Sequence, residues 1–245
     1  MLQTRSRRHF LTAAAAASLA LAGTASAAPP EGASLIVANY ASYVADRGRV
    51  NASRPAHQVY ADALRENNQL LMGGPLLGVD GRPNGLLLVY VVPSKQQAEV
   101  LAQKDPFVQQ GAIADYRLAE WSVQDKDLGL LAASLVPEAG RAAADTAEKR
   151  LYVGYVQYAS KPAGGDGAQA AHQSYMKTLQ TSGRLVMAGP FADGSGAMLI
   201  YRAGSKEEAA ALLQKDPYQA AGAFASSALS EWRLFGLNAA LIQGR

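Results

Sequence analysis

The feature that most constrains this chain is that it is written twice. Ala56-His57-Gln58 followed by Tyr60 recurs as Ala171-His172-Gln173 followed by Tyr175, a displacement of 115 residues that also brings Leu64 onto Leu179. Leu70-Leu71-Met72-Gly73-Gly74-Pro75 matches Leu185-Val186-Met187-Ala188-Gly189-Pro190. A loop then shortens by four residues. At the new displacement of 111, Ser94-Lys95 meets Ser205-Lys206, Gln103-Lys104-Asp105-Pro106-Phe107 meets Gln214-Lys215-Asp216-Pro217-Tyr218, and Glu120-Trp121 meets Glu231-Trp232. Each copy is therefore one structural unit, and the two are expected to bury surface against each other.

Within each copy the local signals come in one order. Segments 34–43 and 151–158 are apolar, β-branched and aromatic, as a first strand should be. Segment 55–67 reads as a helix with proline near its start, its His57, Tyr60 and Leu64 falling on one face; His172, Tyr175 and Leu179 repeat the stripe. Two strands follow, at 70–76 and 86–92 in the first copy, across a turn rich in Gly, Asp and Pro. Ser94 with Gln97, and Ser205 with Glu208, have the spacing of a capping box that opens a second helix, which ends before Pro106 or Pro217. A last strand runs to Trp121 or Trp232. The order βαββαβ is that of a ferredoxin-like α+β unit, an antiparallel four-stranded sheet with both helices on one face. One such unit leaves a sheet face bare, so the two are expected to pack as an intrachain pseudo-dimer of the dimeric α+β barrel type. The expected boundaries are repeat 1 at 34–123, a linker with a short helix at 124–148, repeat 2 at 149–235 and a terminal arm at 236–245.

The first 27 residues read as a targeting segment: a basic stretch with Arg5, Arg7 and Arg8, an apolar run from Ala13 to Ala22, and Ala25-Ser26-Ala27 as a cleavage site. Ser6-Arg7-Arg8-His9-Phe10-Leu11 resembles the twin-arginine export motif, so the expected location is periplasmic or secreted. No other stretch approaches transmembrane length, so no membrane span is expected after removal of the signal. Without the three signal arginines the mature chain holds 20 basic and 20 acidic residues, which removes the electrostatic footprint of a nucleic-acid binder. With no cysteine, a disulfide framework, a zinc–thiolate site, a cysteine-bound iron–sulfur cluster and a catalytic thiol are all excluded. Neither copy has two His at metal-ligand spacing, and no phosphate-cradling loop, dinucleotide fingerprint or serine elbow is present. No metal or cofactor is expected.

The helix His, the Gly-Pro of the second strand, the Asp-Pro-Phe/Tyr after the second helix and the terminal strand together resemble the YciI (YCII-related) family, over both repeats. In that family a paired His and Asp has been taken as the active site, and some relatives act as dehydrochlorinases on hydroxylated aromatics. The resemblance carries these roles to His57 and Asp105, and to His172 and Asp216; Gly74-Pro75 and Gly189-Pro190 match its Gly-Pro motif. A carboxylate beside an imidazole fixes its tautomer and stabilises its protonated form, which suits isomerisation or elimination by general acid/base catalysis.

Each residue also has a structural use. The Asp residues can cap the turn before Pro, and the His can be core residues held by one hydrogen bond. Tyr60 and Tyr175 can donate to a ligand or pack in the core, and Gly74, Pro75, Gly189 and Pro190 can admit a ligand to the backbone or form a bulge. Trp121 and Trp232 are expected in barrel or interface packing. Three readings therefore stay open: an exported small-molecule enzyme, a non-catalytic ligand-binding or structural barrel, and, by analogy of fold alone, a haem-handling or electron-transfer barrel. A small-molecule partner and further homo-oligomerisation are compatible with all of them.

Overall fold

The computed structural model describes residues 34–136, 150–160 and 165–242, so the segment read as an export signal lies outside the described residues. The first copy runs β1 (Leu35–Tyr43), α1 (Arg47–Glu66), β2 (Leu70–Leu77), β3 (Pro83–Val92), α2 (Lys95–Lys104), α3 (Pro106–Gln109) and β4 (Ile113–Glu120). An arm follows, with β5 (Asp125–Lys126) and α4 (Leu128–Ala133). The second copy runs β6 (Arg150–Tyr158), α5 (Gly165–Thr181), β7 (Leu185–Pro190), β8 (Gly196–Ala203), α6 (Lys206–Gln214), α7 (Pro217–Ala220) and β9 (Phe224–Trp232). Its arm carries β10 (Gly236–Leu237) and a 3-10 turn at Ala239–Ile242. The α+β class and the βαββαβ order are as expected.

The capping-box serines do what their spacing predicts: Ser94 accepts from the amide of Gln97, and Ser205 from that of Glu208. The first helix differs from expectation. It begins at Arg47, where the Asp46 carboxylate accepts the Arg49 amide, and Pro55 lies inside it. The buried residues Val50, Ser53, His57, Ala61 and Leu64 form one continuous stripe through that proline, and their packing holds the helix across the missing N–H.

Each copy has the antiparallel strand order β4-β1-β3-β2 or β9-β6-β8-β7, and the two halves join through β2 and β9 at Leu76↔Trp232 and Leu77↔Glu231. The equivalent bridge on the other side is Trp121↔Phe191. Beyond these junctions the arms cross over. Arm 1 pairs with β7 of the second copy, and arm 2 pairs with β2 of the first. The ladders are reciprocal: the amides of Ser122, Gln124 and Asp127 donate to Pro190, Ala188 and Val186, and those of Arg233, Phe235 and Asn238 donate to Pro75, Gly73 and Leu71. Each indole repeats the exchange, Trp121 Nε1 donating to the Gly189 carbonyl at 2.9 Å and Trp232 Nε1 to the Gly74 carbonyl at 3.0 Å.

Three apolar cores result. One lies between each sheet and its own helices, and a third is built from both copies, with Leu71, Met72, Val89 and Trp121 of the first packed with Val153, Met187, Ile200 and Trp232 of the second. The glycines at the crossover are required by contact. A Cβ on Gly74 would sit 1.8 Å from the Arg233 carbonyl oxygen, and one on Gly189 2.0 Å from that of Ser122. Gly189→Ala is therefore expected to push the arm off β7 and cost about 1–3 kcal/mol or more. Gly167→Ala, where a Cβ meets nothing within 4 Å on helix α5, is expected to stabilise by roughly 0.5–1 kcal/mol. Urea midpoints of the two variants check this, and a Gly189→Ala protein as stable as wild type would show that the crossover is not close-packed.

Candidate functional site

The folded chain brings each His to its Asp. His57 stands on α1 and Asp105 in the one-residue joint between α2 and α3, where it ends one helix and caps the next. The joint forms because Pro106 cannot continue α2 but suits the first position of α3, whose free amide at Phe107 is taken by Asp105 Oδ1 at 2.9 Å. His57 Nδ1 lies 2.9 Å from both carboxylate oxygens of Asp105. The second copy repeats the arrangement on α5, α6 and α7: His172 Nδ1 is 2.8 Å from Asp216 Oδ1, which accepts the Tyr218 amide at 2.9 Å. Both carboxylates are buried, Asp105 at 2% and Asp216 at 0% exposure.

A buried carboxylate is costly without partners, and here each is held by an amide and an imidazole. The geometry fixes the roles of the ring nitrogens. Nδ1–H donates to the carboxylate, which leaves Nε2 as the atom that can take or give a proton. The ring planes are fixed as well, His57 stacking on Phe107 at 4.2 Å between centroids and His172 on Tyr218 at 4.1 Å. These stacking partners follow directly from the Asp-Pro-Phe/Tyr motif, because the residue whose amide the Asp caps is the residue that supports the His.

Tyr60 and Tyr175 stand one turn along from the His but spend their hydroxyls on the backbone, donating to Leu101 and Leu212 at 2.8 Å. Those carbonyls lie in the last turns of α2 and α6, where no helical amide can reach them. Both tyrosines thus tie the first helix of a copy to the end of its second. Gly74-Pro75 and Gly189-Pro190 stand apart from the dyads, on the strands that receive the crossing arms. The close approach their missing side chains allow is made by the chain itself.

Tyr43 and Tyr158, which occupy equivalent positions in the two copies, were not singled out by the motif yet adjoin the sites. Tyr43 meets Phe107 edge-on at 5.2 Å, and Tyr158 meets Tyr218 at 6.5 Å and Phe224 at 6.1 Å. Burial, with the Asp105 charge adding to it and Arg54 and Arg47 opposing, pushes the Tyr43 hydroxyl up to about 12. Burial does the same to Tyr158, helped by Tyr218 and Asp216, again to about 12. Their recurrence at one displacement, at the end of the first strand, is the signal that could have found them. Among the described residues no group of three or more His, Asp or Glu could hold a metal ion, and no helix is long and apolar enough to cross a membrane. A recess of about 450 Å³ opens between Arg184, Arg202 and Glu208, away from both dyads.

Asp105→Ala removes both oxygens that face Nδ1 of His57, so the ring is expected to lose its single tautomer and show a mixture of Nδ1–H and Nε2–H forms, which imidazole 15N shifts report. An unchanged tautomer would mean the carboxylate does not orient the ring. Tyr43 and Tyr158 have folded pKa values above the unfolded value of 10.0, so the stability they carry is fully present below pH 10 and is lost as the pH rises through about 12. Absorbance titration near 295 nm should show late-ionising tyrosines and a falling urea midpoint over that range.

The YCII-related domain model matches residues 33–122 and again 151–233. The uncharacterized protein YjpA of Bacillus subtilis (strain 168) is 38% identical over 65 residues, which is 26% of this chain and 75% of that protein. Among solved structures, a chlorite dismutase variant from Candidatus Nitrospira defluvii in complex with cyanide superposes with a TM-score of 0.52 at 10% identity, over 80% of this chain and 90% of that one. A heme-binding protein from Thermus thermophilus does so with a TM-score of 0.50 at 12% identity, over 81% and 91%. Identities this low show a shared fold alone. The residues here do not fit a haem between sheet and helices: that space is filled by Val37, Leu64, Leu88 and Leu101 in one copy and by Met176, Leu179, Leu199 and Leu213 in the other. With the domain matched twice over most of the described sequence, the chain belongs to the YCII-related family, as a tandem duplication of its domain.

Proposed function

We propose that this protein is an exported small-molecule enzyme in which one or both His–Asp pairs, His57–Asp105 and His172–Asp216, perform general acid/base chemistry. Its two repeats, with the boundaries read from the sequence, work as an intrachain pseudo-dimer of the dimeric α+β barrel type. The observation that carries the reading is the twofold recurrence of one geometry: a buried carboxylate on Nδ1, an aromatic ring beneath the imidazole, and Nε2 left for a second partner. In the proposed step Nε2 removes a proton from carbon or oxygen of the bound compound, and the carboxylate stabilises the imidazolium that forms. Isomerisation returns that proton to a different atom of the same molecule. Elimination instead expels a leaving group with its electron pair, and the imidazolium passes its proton to the leaving group or to water. Tyr60 and Tyr175 contribute by holding the helix that carries each His against the helix that ends at its Asp. The twin-arginine-like segment supports periplasmic or secreted placement.

A second reading, a barrel that binds a ligand without turnover, is favoured by one observation. The same Asp oxygen that meets the His also caps a helix, so the pair has a structural use whether or not it transfers protons. The test is solvent-deuterium exchange into a panel of small hydroxy-aromatic and lactone compounds, followed by NMR. The enzyme reading expects catalysed exchange that falls by about 10²- to 10⁴-fold in the double variant His57→Gln/His172→Gln. Exchange that is absent throughout, or unchanged in the double variant, would leave the binding reading in its place. Fractionation of the native host separately tests export: a mature protein found only in the cytoplasm would sink it.

A further inference from the structure

Away from the dyads, where α5 has ended and α6 begins, the second copy holds a recess of about 450 Å³ lined by Arg184, Arg202 and Glu208. The first copy has Gln69, Val91 and Gln97 at those three places, so every charge of the recess belongs to the second copy alone. The two arginines rise from neighbouring backbone, the Arg202 amide donating to the Arg184 carbonyl at 2.9 Å. Only one of them is answered. The Arg184 guanidinium donates to Glu208 Oε1, and Glu208 Oε2 accepts the Gly204 amide at 2.6 Å. Both bonds need the second copy's residues, because Pro93, which stands where Gly204 does, has no amide hydrogen. Arg202 is half-buried, its Nε is closed off from water without a partner, and among the described residues no carboxylate pairs with it. A guanidinium partly withdrawn from water and left without a counter-charge is costly. The valine of the first copy carries no such cost, so the arginine calls for an anion that enters from outside.

We infer that this recess is an anion site, taking the carboxylate of a small organic acid on Arg202 and Arg184. The charges select the valence: two arginines against Glu208 leave one positive charge, which one carboxylate neutralises. A guanidinium presents paired N–H groups in a plane, which match the two oxygens of a carboxylate. Glu208 keeps Arg184 at the recess and repels a second negative charge, so a dianion is disfavoured. The volume falls within the range of roughly 300–1,000 Å³ typical of small-molecule sites, which leaves room for an organic body behind the carboxylate. The site is separate from both dyads and stands or falls apart from the proton-transfer reading.

Butyrate and its neutral isostere butyramide are the probes, with inorganic phosphate as a third arm. Titrated into uniformly 15N-labelled protein at constant ionic strength, butyrate is expected to move the Nε–H resonances of Arg202 and Arg184 saturably and to leave the His57 and His172 rings unmoved. Butyramide should move neither arginine. Arg202→Met, which keeps the apolar stem and removes the charge, should weaken butyrate by roughly tenfold, read at Arg184. Arg184→Gln, which installs the first copy's residue, should weaken it as well, read at Arg202. If Arg202→Met fails to fold, Arg202→Val, the residue the first copy carries there, takes its place. Equal shifts with butyramide or chloride, phosphate binding more tightly than butyrate, or butyrate affinity unchanged in the Arg202 variant overturns the inference. So does butyrate moving the His172 ring in place of Arg202. Failure of the enzyme reading is distinguishable, because deuterium exchange at the dyads is read in other compounds and does not depend on either arginine.

Discussion

The contact on which the rest of the structure depends is the crossing of each copy's arm over the other's sheet. A βαββαβ unit covers one sheet face with its helices and leaves the second face and an edge strand open to water. Here the open faces share a core, and the open edges β2 and β7 are taken up by arms that start at Trp232 and Trp121. The crossover works because carbonyl oxygens of the arm come to rest where Gly74 and Gly189 have no side chain, and because each indole N–H finds the carbonyl of that same glycine. Close approach and polar satisfaction are met by one residue pair on each side. With the edges closed, β3 and β8 can be buried along almost their whole length, which their continuous apolar character demands.

That arrangement leaves the dyads on the outer side, where sheet meets helices, and sets their character. Asp105 and Asp216 are structural first: each stands where one helix stops and the next begins, and proline makes the break. Because the break is buried, the carboxylate needs partners in addition to the amide it caps, and the imidazole of the neighbouring helix is the partner supplied. A proton-handling group is thus produced from the requirements of a helix joint. The same tight packing explains why Tyr60 and Tyr175 bond the helix ends: a buried carbonyl at a helix end must be satisfied, and a tyrosine one turn from the His reaches it.

Much of this was legible in the sequence because the chain is duplicated. Repetition at fixed displacements separated His57, Asp105 and the tryptophans from accidental neighbours, and the strands and the capping boxes followed, while the pairing of His with Asp was what the resemblance to the family implied. What was not legible depended on long-range contact. The start of α1 escaped because Pro55 looked like a helix opening, whereas a buried stripe reaching back to Val50 overrides that local preference. The Gly-Pro motif reads in a single copy as a place for a ligand or as a bulge, and only the other copy's arm reveals what fills it. Tyr60 and Tyr175 read as ligand donors or core packing, and their bonds to the backbone showed only once the ends of α2 and α6 were located.

Joining the copies in one chain also changes what each can become. In a dimer of identical subunits every substitution appears at both sites, so a change that opens one pocket opens the other and carries its stability cost twice. A tandem chain is free of that coupling. Its copies have kept identical those residues that the crossover and helix joints require, the tryptophans, the crossover glycines and the dyads. They differ where packing alone decides: Asn39 against Gly154, Val108 against Gln219, Phe107 against Tyr218.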